Sequence, residues 1–387
     1  MTESLKSLFM LDPDVIYLNH GSYGACPRPV FERYQAWQRE LEFNPMAFIN
    51  ERLPGLMTEA RAALGAYLGT SGDNVVYFVN PTTAVRMICR CLKLEPGDEI
   101  LTTDWEYPAM DGTWDLVAYQ TGARYVHHPV PVPLTSAEAF VEAFWAGVTP
   151  RTRVIFLSHI AAFSALLFPI AEICRRAKSE GIITFIDGAH APGHIPLNMT
   201  ALDADVYVGA CHKWLCAPKG AGFAYAHPRI QNCIVESLVQ SRQCDMASLT
   251  TLAPEGIAQF VPNYQPQGTR DPSAFLTVPT AIQFQAEHDW DAQRRRCHAL
   301  ASQTRARIDA LTGLAPLSPD SPEFFGQMVS IRLPDNRVEA IRREFAARNI
   351  VGLILHVHGQ SLLRVSYQAY NSQDDADQLV EAVSRGL

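Results

Sequence analysis

Lys213 stands between His212 and Trp214 in the stretch ACHKWLCAPKG (210–220), with Leu215 and two cysteines close by. Apolar neighbours desolvate an amine, lower its pKa and leave part of it neutral, the form that condenses with a carbonyl to a Schiff base. A lysine considered alone is more often a solvated cation, so this reading depends on its companions. Asp187 ends the apolar run IITFID (182–187), where a carboxylate is costly unless a positive group faces it. Thr82 and Thr83 in NPTTA (80–84) open a helical pattern whose free N–H groups suit a phosphate or, more simply, a plain cap. Tyr107 in DWEYP (104–108) is a ring in a loop, placed either to stack on a flat ligand or to cover a core edge. His190 and His194 are four apart, but Pro192 and Gly193 interrupt the helix that would make them a metal pair, so no metal site is expected.

Each of these residues follows a short β-branched or aromatic run. The runs VVYFV (75–79), EILT (99–102), ARYVHH (123–128), RVIFLSH (153–159), IITFID, ADVYVGA (204–210) and GFAYA (222–226) alternate with amphipathic stretches such as Ile170–Glu180. That alternation predicts a doubly wound, mostly parallel α/β sheet, whose ligands bind beyond the carboxyl ends of the strands. Residues 1–70 read as an arm and helices, with Pro29 near a helix start, and 71–279 as the large domain. Residues 280–387 read as a small α+β domain: a long helix to about Leu311, the runs GQMVSIRL, IVGLIL and LLRVSY, and two further helices.

The chain of 387 residues is 48% hydrophobic and carries a formal charge of -8, with no Lys/Arg-rich tract, which argues against a nucleic-acid partner. Its nine cysteines lack paired CxxC spacing and read as reduced thiols. The N-terminal stretch lacks the pattern of a secretory leader, and no apolar segment reaches membrane-spanning length, so a soluble cytoplasmic protein with no membrane partner is expected. An amine, a buried carboxylate, a phosphate cradle and a flat ring at four strand ends together describe a pocket for pyridoxal 5'-phosphate. In it the lysine tethers the aldehyde, the carboxylate keeps the pyridine nitrogen protonated, and the cradle fixes the phosphate.

Over nearly its whole length the chain resembles the class V aminotransferase family of fold-type I pyridoxal-phosphate enzymes, and most closely its isopenicillin N epimerase-like branch. The stretches that carry the resemblance are NHGSYG (19–24), NPTTA, EYPAM (106–110), DGAHAPG (187–193), CHKWL with PKG (211–220), QGTRDPSAF (267–275) and RVSYQAYN (364–371). The resemblance implies that Lys213 forms the internal aldimine, Asp187 pairs with the pyridinium, and Thr82, Thr83 and His212 hold the phosphate. Tyr107 would stack on the ring and His190 would lie near the phenolic oxygen. Gly268 and Thr269 would reach the phosphate of a neighbouring subunit, which implies a homodimer with shared sites. Arg364 would take the substrate α-carboxylate as a fork, with Asn19, His20 and Tyr23 also at the substrate.

The implied activity is chemistry at Cα of an α-amino acid through an external aldimine and a quinonoid. Epimerisation or racemisation comes first, with Lys213, Tyr107 and His190 as the catalytic candidates. A C–S β-lyase of the ergothioneine-pathway kind and an aminotransferase are the alternatives, and a non-catalytic cofactor-binding regulator is the reading from another class. Three departures stand out. Ala161 and Ala162 replace polar residues often found facing the cofactor, and Ala210 replaces a serine that adds a phosphate contact. The third is that no cysteine follows Cys297, which argues against a persulfide-forming desulfurase; the corresponding loop carries His356 and His358 instead, read here as structural.

Overall fold

The apolar runs pair into sheets, as their alternation requires. The computed structural model describes residues 5–234 and 260–387, so part of the span 71–279 (residues 235–259) lies outside the described residues. After a short β1 (Ile16–Tyr17) come β2 (Val75–Phe78), β3 (Glu99–Thr103), β4 (Arg124–His128), β5 (Thr152–Ser158), β6 (Ile183–Gly188), β7 (Val206–Ala210) and β8 (Gly222–Ala226). The last seven form one sheet in the order β2-β8-β7-β6-β5-β3-β4, in which β8 runs antiparallel to both neighbours and the rest are parallel. Two reversals, at β8 and again at β2, restore the direction of β2, so β2, β3, β5, β6 and β7 all end on the same edge. The candidate site residues from this part of the sequence end or follow β2, β3, β6 and β7, while β5 leads to the departures Ala161 and Ala162.

Side chains alternate across a strand with period two, and in a sheet covered on both faces both sets are apolar. Val76, Ile100, Val154, Phe156 and Val208 face one core, beneath the helices Pro81–Ile88 and Pro108–Thr121. Tyr77, Leu101, Ile155, Leu157 and Tyr207 face the other, shared with the helix Ile170–Ser179 and with the N- and C-terminal segments. In that helix Ile170, Ile173, Cys174 and Ala177 are the buried face.

The C-terminal part holds β9 (Met328–Leu333), β10 (Ile350–Val351), β11 (Leu353–Val357) and β12 (Gln360–Ser366). The antiparallel sheet β11-β12-β9 carries the helices Val338–Ala347 and Gln373–Gly386. Two sequence expectations change here. The run IVGLIL splits at Gly352: β10 pairs in parallel with β1, while β11 turns back on β12, so the N-terminal arm is tied to this part of the chain. The single long helix is two, Val278–Glu287 and Trp290–Thr312, because Asp289 takes a left-handed backbone (φ 43°) and its side chain caps the second helix at the Ala292 N–H.

Candidate active site

Beyond the common strand edge lies a cavity of about 280 Å³, lined among others by Thr82, Tyr107, Asp187, His190, Lys213 and Arg364. Topology explains the convergence: Thr82 follows β2, Tyr107 follows β3, Asp187 and His190 end and follow β6, and Lys213 follows β7. Arg364 comes from β12, so the small sheet closes the cavity from the other side.

Lys213 is half-buried at the cavity wall, and its Nζ lies 3.1 Å from His190 Nε2. Burial lowers its pKa to about 8; the Arg364 guanidinium adds to this and the Asp187 carboxylate opposes it. At pH 7 about a tenth of Lys213 is then free amine, against roughly three in ten thousand for a solvated lysine. Burial also drives His190 well below the usual histidine range, with Lys213 the largest charge against it.

Asp187 is buried and its Oδ1 accepts from the Ala189 N–H at 2.9 Å; among the described residues no cation is hydrogen-bonded to it. Desolvation therefore raises its pKa despite that bond and the Lys213 charge. A protonated pyridine nitrogen is the positive group such a carboxylate lacks, so the site fits the cofactor on the chemistry of its donors. At the phosphate end Thr82 lines the cavity and, among the described residues, its hydroxyl has no hydrogen-bond partner, as a phosphate ligand requires, whereas Thr83, also expected there, does not line the cavity and its N–H is already taken by the Asn80 cap at 2.8 Å. His212 donates its Nδ1–H to the Ala221 carbonyl (2.9 Å), and burial holds the ring neutral with a pKa near 4. Only the protonated ring could offer Nε2–H to a phosphate, so anion binding there would carry a proton with it.

The N-terminal motif is divided by the fold. Gly21, Ser22 and Tyr23 line the cavity, Tyr23 being 71% exposed. Gly24 has φ 71°, and a Cβ on it would lie 2.1 Å from the His212 carbonyl oxygen, so only glycine lets this arm pass the Lys213 turn. His20, expected at the substrate, is instead fully buried behind Lys213. Its Nε2 lies 3.1 Å from the Lys213 carbonyl and its Nδ1 3.1 Å from the Tyr370 hydroxyl, because the helical turn His20–Tyr23 points its first residue inward. Asn19 also stays out of the cavity wall; its Oδ1 accepts from Arg364 (3.2 Å) and Ser22 (2.8 Å). Ser22 (2.7 Å) and the Ala162 carbonyl complete the grip on the guanidinium. Arg364 is 3% exposed and makes no ion pair among the described residues; burial lowers its pKa to about 10, so it stays charged.

Gly268 and Thr269 are not brought to this cavity. They line a separate apolar cleft of about 430 Å³ with Ile49, Leu53 and Met57. His356 and His358 are outside it as well: His358 bonds the Asp104 carbonyl (2.8 Å) and packs against Trp105, joining the small sheet to the Tyr107 loop. Ala161 and Ala210 lie in the core, while Ala162 lines the cavity and supplies its carbonyl to Arg364.

Glu106 was not anticipated, although it is a second carboxylate at a strand end and the cost of burying a charge marks it as it marks Asp187. It accepts from the Thr103 hydroxyl (2.7 Å), the Ser158 N–H (3.1 Å) and the Ser158 hydroxyl, fixing the loop that presents Tyr107 against the end of β5. Burial raises its pKa to about 7.

These buried groups set an acid limit on the cofactor-free protein. His20, His159 and His194 are held near pKa 3 and His212 near 4 by burial, with His190 well below its usual range. Unfolded histidine titrates near 6.5, so below that pH the unfolded chain binds more protons and stability falls. Glu106 acts oppositely, since its raised pKa makes stability fall as pH rises from about 4.5 to about 7. Asp187, also raised by burial, acts with Glu106, but five histidines outweigh two carboxylates, so stability should fall between pH 7 and 5.5, to be read as a lower urea midpoint.

A desolvated amine, a buried carboxylate, an unpaired Thr82 hydroxyl at a helix N-terminus and a ring, set at the strand ends of a seven-stranded α/β sheet, define a pyridoxal-phosphate enzyme of fold-type I. Within that class the chain belongs to the class V aminotransferases: residues 16–379 match the sequence profile of the family described as aminotransferase class-V. It is similar to the isopenicillin N epimerases of Streptomyces clavuligerus (34% identity, covering 98% of this chain and 97% of the relative) and Amycolatopsis lactamdurans (36%, 96% and 95%). The solved structure of a C-DES mutant with glycine covalently linked to its PLP cofactor shares the fold at TM-score 0.84, covering 98% of each chain at 21% identity. Among the described residues no helix is long and apolar enough to cross a membrane.

Proposed function

We propose that this protein is an isopenicillin N epimerase-like enzyme that inverts Cα of an α-amino acid, working as a homodimer. The observation that carries the reading is the similarity to two epimerases over nearly the whole chain. The cavity supports it. When bound, the cofactor withdraws electrons from Cα and so makes its proton removable. Arg364 would hold the substrate carboxylate, and Lys213, neutral in part at pH 7, would take the proton from one side.

Inversion needs a second carrier. Tyr107 enters the cavity after β3 and Lys213 after β7, with β5 and β6 between them, so the phenol and the amine reach it from separate points along that edge. His190 is a poor carrier, because Nδ1 faces the Trp214 indole N–H (3.2 Å) and Nε2 faces Lys213, which leaves no nitrogen free to pick up a proton. Ile160, Phe163 and Leu353 give the side-chain end of the cavity an apolar wall. No cysteine lines the cavity among the described residues, which supports leaving persulfide chemistry aside. Gly268 and Thr269, remote within one chain, would serve the partner's phosphate in the homodimer.

The test is incubation of α-amino acids and cysteine S-conjugates with the cofactor-loaded protein in heavy water. Deuterium at an inverted Cα is the expected result. Pyruvate with a released thiol or sulfenate would instead identify the C–S lyase, and a 2-oxo acid formed with aminated cofactor would identify an aminotransferase.

A further inference from the structure

The residue after the lysine has a chemical task that its burial alone does not reveal. Trp214 is fully buried, and its Nε1–H points at His190 Nδ1 at 3.2 Å. An indole N–H can only donate, so His190 Nδ1 must be the bare, accepting nitrogen. A neutral imidazole then carries its proton on Nε2, and Nε2 lies 3.1 Å from Lys213 Nζ. A ring N–H facing an amine can bond only to the amine's lone pair, which exists only in the uncharged amine.

We infer that Trp214 is a positioning residue: its indole N–H locks His190 in the Nε2–H tautomer, and the locked ring in turn favours the neutral amine of Lys213 over its ammonium. The indole is clamped for this task. The Trp214 carbonyl accepts from Gln285 Nε2 (2.8 Å), and the indole ring stacks on His194, with centroids 4.0 Å apart and planes at 29°. His194 is itself fixed, accepting the Gln327 N–H at Nε2 (2.6 Å) and donating Nδ1–H to the His190 carbonyl (3.1 Å). One histidine thus holds both the backbone of His190 and the face of the tryptophan that sets its proton.

The charged and titratable groups facing the pair act in the same sense with one exception. Lys213, Arg364, His194 and His212 face His190 and all disfavour the imidazolium, while Lys213 itself faces Arg364, which disfavours the ammonium, and Asp187, which favours it. Without the lock, His190 would be free to shift its proton to Nδ1 and offer Nε2 as an acceptor to the Lys213 ammonium, reinforcing Asp187. Once the amine is engaged elsewhere, the same fixed N–H remains a donor into the cavity.

The inference rests on Lys213 being the amine that captures the cofactor, and the first measurement below is independent of that reading. The nitrogen resonances of His190 are recorded by long-range ¹H–¹⁵N correlation in the full-length protein. The expected result is a bare Nδ1 and a protonated Nε2 in the wild type, and a mixed or reversed pattern when Trp214 is replaced by 3-benzothienylalanine, which keeps the ring shape and has sulfur in place of the N–H. In the second, the rate at which cofactor-free protein captures pyridoxal phosphate is followed against pH. Exchanging a donor to the neutral amine for an acceptor from the charged one should raise the apparent pKa of capture by about one unit and slow capture at pH 7 about tenfold. Trp214→Phe should behave alike if it folds. An unchanged tautomer in the sulfur variant would overturn the proposal and leave Trp214 with packing alone. An unchanged capture profile beside a changed tautomer would overturn its second half, the hold on Lys213.

Discussion

Lys213→Ala should remove the covalent link between protein and cofactor and lower turnover by at least about 10⁴-fold, the range of a lost acid–base group with a lost nucleophile added. Borohydride reduction followed by mass spectrometry should find pyridoxal phosphate attached to the wild-type chain and none attached to the variant, and the visible absorption should change with it. The size follows from the site. Burial leaves Lys213 partly neutral near pH 7, and no other lysine lines the cavity among the described residues, so nothing can replace it. The fold should survive, because the substitution removes a desolvated amine rather than a packing side chain. Cofactor still attached to the variant through another lysine would refute the assignment of Lys213.

Arg364→Ala should lower kcat/KM about 10²–10³-fold while leaving cofactor attachment and colour intact, since truncating one member of a buried charge pair costs several kcal/mol. The guanidinium is buried without an acidic partner among the described residues and is aimed by Asn19, Ser22 and the Ala162 carbonyl, an arrangement that a substrate carboxylate would complete. Arg364→Lys should recover only part of the loss, because an ammonium provides charge without the planar fork. The substrate-free variant should be no less heat-stable than the wild type, as an uncompensated buried cation has been removed. Loss of colour in Arg364→Ala would show that the residue serves the cofactor, and the division between the two sets would fail.

Much of this site was legible because its chemistry sits at strand ends, where an ordinary soluble protein keeps little that is charged or aromatic and buried. Lys213, Thr82 and Tyr107 each had a plain alternative alone, and only their shared position with Asp187 beyond one sheet edge decided among them. Glu106 was legible by the same logic, but a carboxylate in a loop beside a tyrosine reads as solvated until Thr103 and Ser158 are seen to close over it. His20 was misplaced because a motif aligns residues along the chain, whereas a helical turn of four residues sends its side chains to opposite sides.

The sequence by itself determined the sheet and the residues at its strand ends, because the alternation of runs and the cost of a buried charge are local properties of the chain. Tertiary structure alone decided the rest. It showed that Arg364 has no acid beside it among the described residues, that Gly268 and Thr269 lie in a different cleft, that β10 joins the N-terminal arm, and that Trp214 meets His190. Those facts depend on distances between segments up to hundreds of residues apart. The proton on His190, and through it the balance between amine and ammonium at Lys213, is set by a 3.2 Å contact that no spacing in the chain encodes.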